Sequence, residues 1–316
     1  MNKYYFEVLR AGINTTYQDL GRKNLYHIGI PFSGAMDNRN YIIANLLVGN
    51  KENTPAIEFA YQGPLLNFKG KAACFVITGE VNFNILRKEN RTEQGKCYQT
   101  YSLLDGDQVN ILSTNKSVYG YLAVSGGFDA ELYWNSCSVN TKAKIGANDG
   151  EKIKENDQII ISKKDQKYNY KKLDHINSKI EHIRVIKGTN YNYFSQEAKN
   201  VFFSKEFTIS KFTDRMGMRL KGSKIENIIN TNITSEGLIK GVIQIPPDGN
   251  PIIMLSDHGT IGGYPKIGVI ISADYDRLVQ LTPGSKIKFK LVELSEAETL
   301  FKLYNMETQK ILNQLK

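Results

Sequence analysis

Along the chain, apolar positions recur mostly in short runs of alternating character, separated by turn residues. Such runs predict strands near Tyr5–Leu9, Leu65–Phe68, Cys74–Ile77, Val109–Leu112, Gly120–Val124 and Ile159–Ser162. The same pattern returns at Ile183–Ile186, Val242–Ile245, Ile252–Leu255, Lys266–Ser272 and Lys286–Val292. Three segments share one design: L-D-G-D-Q-V-N-I-L (Leu104–Leu112), K-E-N-D-Q-I-I-I-S (Lys154–Ser162) and T-P-G-S-K-I-K-F-K (Thr282–Lys290). In each, a tight turn feeds a strand with one buried face. Helical periodicity is scarcer. Asp37 is placed to cap a helix through Val48, with Ile42, Ile43, Leu46 and Leu47 as its buried stripe. Ser195–Phe202 reads as a short helix, and Asp274 as the cap of one or two turns through Leu281. Ser295-Glu296-Ala297-Glu298 is a capping box, followed by Ala297, Leu300, Phe301 and Tyr304 on one face. The expectation is a mostly β chain in two β-rich halves, with few short helices and a C-terminal helix. The domains predicted are 1–180, 181–294 and a final helix over 295–316.

Composition narrows the class. With 316 residues, 41% hydrophobic and 23% charged, the chain has the balance of a globular protein of two ordinary domains. Met1–Arg10 lacks the basic and apolar regions of a signal peptide, and no apolar run reaches membrane-span length. Cys74, Cys97 and Cys137 lie far apart, which suggests neither a disulfide framework nor a metal site. A cytoplasmic protein without membrane contact is expected. The net charge is +9; residues 141–240 hold 20 Lys+Arg against 12 Asp+Glu, a surplus of eight. These lysines are interspersed with Asn, Asp and Glu rather than with aromatics, so a solvated surface is expected rather than a nucleic-acid interface.

Four clusters carry candidate chemistry. In T-T-Y-Q-D-L-G-R, Gln18, Asp19 and Arg22 place an amide, a carboxylate and a guanidinium together, fit for a polar substrate or equally for an internal network. Ser33-Gly34 reads as a turn shortly before Asp37. In S-K-F-T-D-R-M-G-M-R-L, Asp214 and Arg215 are adjacent, so on a strand they face opposite ways. Glu236 follows, then G-V-I-Q-I-P-P-D-G-N-P-I, a hairpin whose turn Asp248 braces and Gly249 permits, with Gln244 as its more functional polar group. The last cluster, S-D-H-G-T-I-G-G-Y-P-K-I-G, crowds Asp257, His258, Thr260, Tyr264 and Lys266 around Gly262-Gly263. Histidine moves protons near neutral pH, and a lysine beside freed backbone amides suits a developing oxyanion. The expected catalytic set is Lys266, His258, Tyr264, Asp257, Arg215 and Glu236. The expected substrate contacts are Gln18, Asp19, Arg22, Ser33, Asp37, Asp214, Gln244, Asp248, Thr260, Gly262 and Gly263. No metal motif, phosphate loop, GxGxxG, GxSxG or biotin-acceptor stretch occurs.

Taken in order, these blocks, with A-N-L-L-V-G-N and S-G-G-F-D, resemble the KipA family, also called allophanate hydrolase subunit 2 or the 5-oxoprolinase C subunit. The resemblance runs from about Val8 to Leu294. It implies a cyclophilin-like β-barrel in the C-terminal half. It also implies two partners, one KipI-like and one LamB/YcsF-like, and ATP-driven opening of 5-oxo-L-proline to L-glutamate, the ATP bound with a partner. Its carboxyltransferase relatives imply an alternative, transfer of a carboxyl group from carboxybiotin to an amide such as urea. A third is a non-catalytic antagonist of a kinase inhibitor. One departure stands out. Y-W-N-S-C-S-V (Tyr133–Val139) places Cys137 where the family carries arginine, which implies a changed substrate or lost activity.

Overall fold

The computed structural model describes residues 4–89, 91–162, 170–175, 180, 182–226 and 232–315. The chain is mostly β and divides into two compact units. One comprises Met1–Arg22, Ser33–Asn177 and Gln309–Lys316; the other comprises Lys23–Phe32 and Ser178–Thr308. Lys23–Phe32 groups with the second unit, and the last residues of the C-terminal helix, from Gln309, group with the first.

The first unit contains β1 (Tyr5–Arg10), β2 (Thr16–Gln18), α1 (Asn38–Leu47), β3 (Ala56–Ala60), β4 (Leu65–Lys69), β5 (Ala72–Thr78) and β6 (Val81–Leu86). β7 (Thr92–Gln94), β8 (Thr100–Leu104), β9 (Gln108–Thr114), β10 (Tyr119–Val124) and β11 (Gln158–Ile160) follow. They form two antiparallel sheets, of order β11-β1-β4-β9-β6-β7 and β2-β3-β10-β5-β8. In β6, V-N-F-N-I-L, every second residue is buried, and these join one core that draws on both sheets, with Phe6, Phe59, Phe68, Phe75 and Phe83. Burying each such ring contributes about 1.5–3 kcal/mol. β3 and β10 are buried at every residue, which erases alternation; α1 lies against β10 and β5.

The second unit adds β12 (Ile183–Lys187), α2 (Gln196–Ser204), β13 (Phe207–Ile209), β14 (Gly217–Lys221), β15 (Glu236–Gly237), β16 (Val242–Gln244) and β17 (Ile252–Met254). Next come β18 (Ile261–Gly262), β19 (Lys266–Ile270), α3 (Ser272–Leu278), β20 (Lys286–Ile287), β21 (Phe289–Leu291) and α4 (Leu294–Asn313). Eight strands form a barrel-like sheet, β20-β13-β14-β17-β16-β19-β12-β21. Its two end strands, β20 and β21, are separated in sequence only by Lys288, so one bent stretch nearly closes the barrel. All its pairs are antiparallel except β12 with β21. Phe202 of α2 stacks on Phe289, with ring centroids 4.5 Å apart.

Several predicted elements differ in detail. α1 is capped by Asp37 as expected, accepting from Asn40 N. Its buried apolar residues are Tyr41, Ile43, Ala44 and Leu47, while Ile42 and Leu46 are half-buried. The helix is turned because Tyr41 and Asn45 both donate to the Thr54 carbonyl. Asp274 is not a cap: Ile271 occupies that position, and the Asp274 carboxylate instead receives Arg184 and Arg277. The run Lys266–Ser272 stops as a strand at Ile270, and Lys286–Val292 is broken at Lys288. Strand Ile159–Ser162 is Gln158–Ile160, with Ile161 bridging Phe128 alone. On α4, Ala297, Leu300 and Tyr304 pack inward as predicted, but Phe301 is exposed.

Candidate active site

In the first unit, the Gln18–Arg22 cluster is an internal network. Asp19 accepts from Gly21 N at 2.8 Å, Ser136 Oγ at 2.7 Å, Ser138 Oγ at 2.6 Å and Cys137 N at 2.8 Å. Gln18 donates to Val139 O, and Arg22 Nη2 to Ser138 O. All three side chains are buried. A carboxylate with four donors is well satisfied and is held by its neighbours. Ser33 and Gly34 both have positive φ, 58° and 85°, but form no turn where one was expected; Ala35 N donates instead to Asp19 O, and Asn140 donates to Ser33 Oγ. Asp37 engages Asn40 with both oxygens, and its own N–H donates to Tyr121. Cys137 is fully buried within the main core, and burial pushes its thiol well above the ordinary range. Cys137 is thus an inert core thiol.

The second unit gathers the remaining residues. Asp214 and Arg215 face opposite ways. Asp214 is exposed and accepts from Met216 N and Gly217 N. Arg215 is buried and binds Asp257 through two bonds, 2.8 and 3.0 Å. Asp257 N also donates to Arg215 O, so the pair rivets the start of the loop to the segment before β14. Asp248 accepts from Asn250 N and Nδ2 and braces the hairpin turn, where Gly249 has φ 74°.

His258 follows and is almost fully buried. Its Nδ1 meets the Gly259 carbonyl at 2.6 Å, which makes Nδ1 the protonated nitrogen. Nε2 is then an acceptor, and the Tyr26 hydroxyl donates to it at 3.2 Å while the rings stack. Burial holds the imidazole below its ordinary pKa, and therefore neutral.

β15 and β18 form a small ladder that pairs Glu236 with Gly262. Glu236 Oε2 accepts from Lys266 Nζ at 2.6 Å, and Oε1 from Asn190 Nδ2 at 3.4 Å. Asn190 Oδ1 in turn accepts from Lys266 N. Lys266's hydrogen bond holds the Glu236 carboxyl below its usual value, so the pair is ionic at neutral pH. The lysine side chain is 4% exposed and the glutamate 42%. An ammonium carries three donors, so Lys266 keeps two beyond this bond. Gln244 is buried and donates to Tyr264 O. A Cβ on Gly262 would lie 2.7 Å from Gln244 Nε2 and from Leu238 Cδ1, so a larger residue there would push those side-chain ends aside. Gly263 O accepts from Ile233 N, and Thr260 O from Leu238 N; Tyr264 is half-buried.

Thus the loop does bring Glu236, Gln244, Gly262, Tyr264 and Lys266 together, while Asp257 and Arg215 are engaged with each other. Two participants were missed by sequence reasoning, Asn190 and Tyr26. Among the described residues, no group of three or more His, Cys, Asp or Glu is arranged to hold a metal, and no helix is long and apolar enough to cross a membrane.

The sequence matches the carboxyltransferase domain, subdomains A and B, over residues 28–291. The chain belongs to this carboxyltransferase-domain family. The 5-oxoprolinase C subunit of Haemophilus influenzae is 34% identical over 303 residues, covering 93% of each protein. Its counterpart from Escherichia coli, of the same name, is 33% identical over 295 residues, covering 92% of each. Among solved structures, the urea amidolyase of K. lactis superposes with a TM-score of 0.87 at 24% identity, which speaks to the fold. That match covers 98% of this chain but 20% of the amidolyase. The carboxyltransferase-domain fold therefore accounts for the two β-rich units and for the barrel-like sheet.

Proposed function

We propose that the chain is the C subunit of an ATP-dependent 5-oxoprolinase, acting with a KipI-like and a LamB/YcsF-like partner to convert 5-oxo-L-proline to L-glutamate. The observation that carries this reading is the end-to-end match to two proteins named as 5-oxoprolinase C subunits, against coverage of only 17% of a urea amidolyase at 27% identity. The site chemistry suits it. Opening a lactam needs a donor where negative charge develops on the amide oxygen, and Lys266, fixed by Glu236 and Asn190 and withdrawn from water, has two ammonium donors without a partner among the described residues. The Tyr26 hydroxyl and the neutral His258 it bonds are a donor–acceptor pair of the type that can exchange a proton. ATP belongs with a partner in this reading, since the chain carries no phosphate-loop motif.

The test is reconstitution. The chain purified alone is expected to release no glutamate from 5-oxo-L-proline and ATP, and the complex with both partners to release it together with ADP. Activity of the chain alone overturns the proposal. So does carboxylation of urea by the chain paired with a biotin carrier and biotin carboxylase while the reconstituted trio stays silent.

A further inference from the structure

A pocket of about 370 Å³ opens on the second unit, away from the hydrogen bonds of the Lys266 cluster, between the Ser210–Asp214 loop, β14 and the turn before β17. Its wall includes Phe212, Arg219, Lys221, Asp248, Asn250 and Ile252. Phe212 is 64% exposed, a large apolar ring left in water beside a concavity. Arg219 and Lys221 alternate with the buried Met218 and Leu220, so both project from the same face of β14. Two residues apart on a strand, they stand about 7 Å from each other.

The walls are already braced. Phe212 N donates to Ser210 Oγ, Thr213 Oγ1 to Ser210 O, and Ser210 N to Arg219 O. The opposite wall is set by Asp248 and Asn250, and by Leu220 N donating to Pro251 O. Asp248 has both oxygens committed to Asn250. Arg219 and Lys221, by contrast, make no hydrogen bond or ion pair through their side chains among the described residues. Lys211 adds a third cation next to the Phe212 ring, 5.4 Å from its centroid. The lining thus joins an aromatic wall to two cations without hydrogen bonds, one a guanidinium suited to bidentate oxyanion contact, with the Asp248 carboxylate, which feels the charge of Arg219, on the opposite wall. A bare inorganic anion would leave the ring and most of the volume unused.

We propose that this pocket binds a small organic anion in which a carboxylate or phosphate is joined to a flat ring, directly or through a linker such as a sugar, the ring packing on Phe212 and the oxyanion lying between Arg219 and Lys221. The inference does not depend on the 5-oxoprolinase reading, because no residue of the Lys266 cluster takes part. By register, Arg219 pairs with Ile252 and Ile252 with Gln244, so the pocket shares one face of the sheet with Gln244.

The test is titration of the full chain by calorimetry and saturation-transfer NMR with AMP, benzoate and inorganic phosphate in separate arms. AMP binding identifies a nucleotide-type ligand, and benzoate binding with AMP silent identifies a flat carboxylate; either supports the proposal when the variants agree. Arg219→Ala and Lys221→Ala should each weaken that binding at least tenfold. Phe212→Ala should do the same and abolish saturation transfer to the ring protons. All three side chains are exposed, so folding should be unchanged by circular dichroism. Lys302→Ala, on the exposed side of α4, should leave binding as it is. The proposal is overturned if neither ring compound binds, if phosphate alone binds, or if Lys302→Ala weakens binding as much as the pocket variants do.

Discussion

The Lys266–Glu236 pair predicts that stability and activity respond in opposite order to its two members. Replacing Glu236 by Gln leaves an ammonium that is 4% exposed without its counter-charge. Breaking a buried ion pair on one side costs about 3–5 kcal/mol, and the lower end applies here because the glutamate reaches water. Replacing Lys266 by Met keeps most of the buried stem and leaves a carboxylate that is 42% exposed and can rehydrate. That loss should be about 1 kcal/mol or less, the worth of a solvent-screened pair. At roughly 2–4 °C per kcal/mol, Glu236→Gln should lower Tm by about 6–12 °C and Lys266→Met by about 4 °C at most. Turnover should rank the other way. Losing a preorganised donor to a developing oxyanion typically lowers kcat by ~100–1000-fold, so Lys266→Met should be stable and nearly inactive in the reconstituted complex. Scanning calorimetry and glutamate release check the two halves. If Lys266→Met costs as much stability as Glu236→Gln, the lysine is held by packing rather than by charge. If it keeps normal turnover, the oxyanion role is wrong.

Other outcomes follow from neighbouring contacts. Gly262→Ala puts a Cβ 2.7 Å from Gln244 Nε2 and Leu238 Cδ1 and should cost about 1–3 kcal/mol, read by urea denaturation, with Gln244 displaced from the Tyr264 carbonyl. His258 has a folded pKa below its unfolded value. The unfolded chain therefore binds the proton first as pH falls, and stability should decline below about pH 6.5. His258→Gln should flatten that part of the curve relative to the wild type, in denaturation series run from pH 8 to pH 5. The Glu236 carboxyl is held low by Lys266, so its contribution is present above the usual carboxylate pKa and is lost as pH falls through the folded value. The stability gap between wild type and Glu236→Gln should accordingly close in acid. Asp37→Ala removes the α1 cap and should lower stability by about 1 kcal/mol, while Asp37→Asn should retain most of it.

What could be read from the sequence depended on whether a signal was local. Strands with one wet face, such as β1, β9 and β12, betray themselves by alternation. β3, A-I-E-F-A, does not, because every residue is buried, Glu58 included; its carboxylate is kept by Tyr121 and the Met36 N–H. Strands of three residues, such as β2 and β13, are too short for a period to appear. The loop of Ser256–Gly268 was visible through its density of special residues, and Gly262 lies there against the Gln244 side chain.

Composition could not sort that loop by role. Asp257, Arg215, His258 and Lys266 are all of catalytic type, yet burial imposes a prior demand, since a charge withdrawn from water must find a partner. Arg215 and Asp257 answer it with each other in a bidentate pair, so neither is left aimed at a substrate by this bond. Lys266 answers it with Glu236, uses one donor of three, and remains available. The groups that hold the reactive ones come from far along the chain: Asn190 lies 76 residues before Lys266, and Tyr26 lies 232 before His258. No spacing rule joins such pairs, because the fold alone makes them neighbours. Asn190 is therefore the sharper probe of the site than any residue of the loop. Asn190→Ala removes the acceptor for Lys266 N and a donor to Glu236 without touching the ammonium itself. If the lysine acts by being held in place, kcat should fall while KM and the charge of the site stay as they are, and Asn190→Gln, which keeps an amide donor and acceptor and adds no charge, should recover part of the loss. Equal activity in all three forms would mean that Lys266 needs no positioning beyond Glu236.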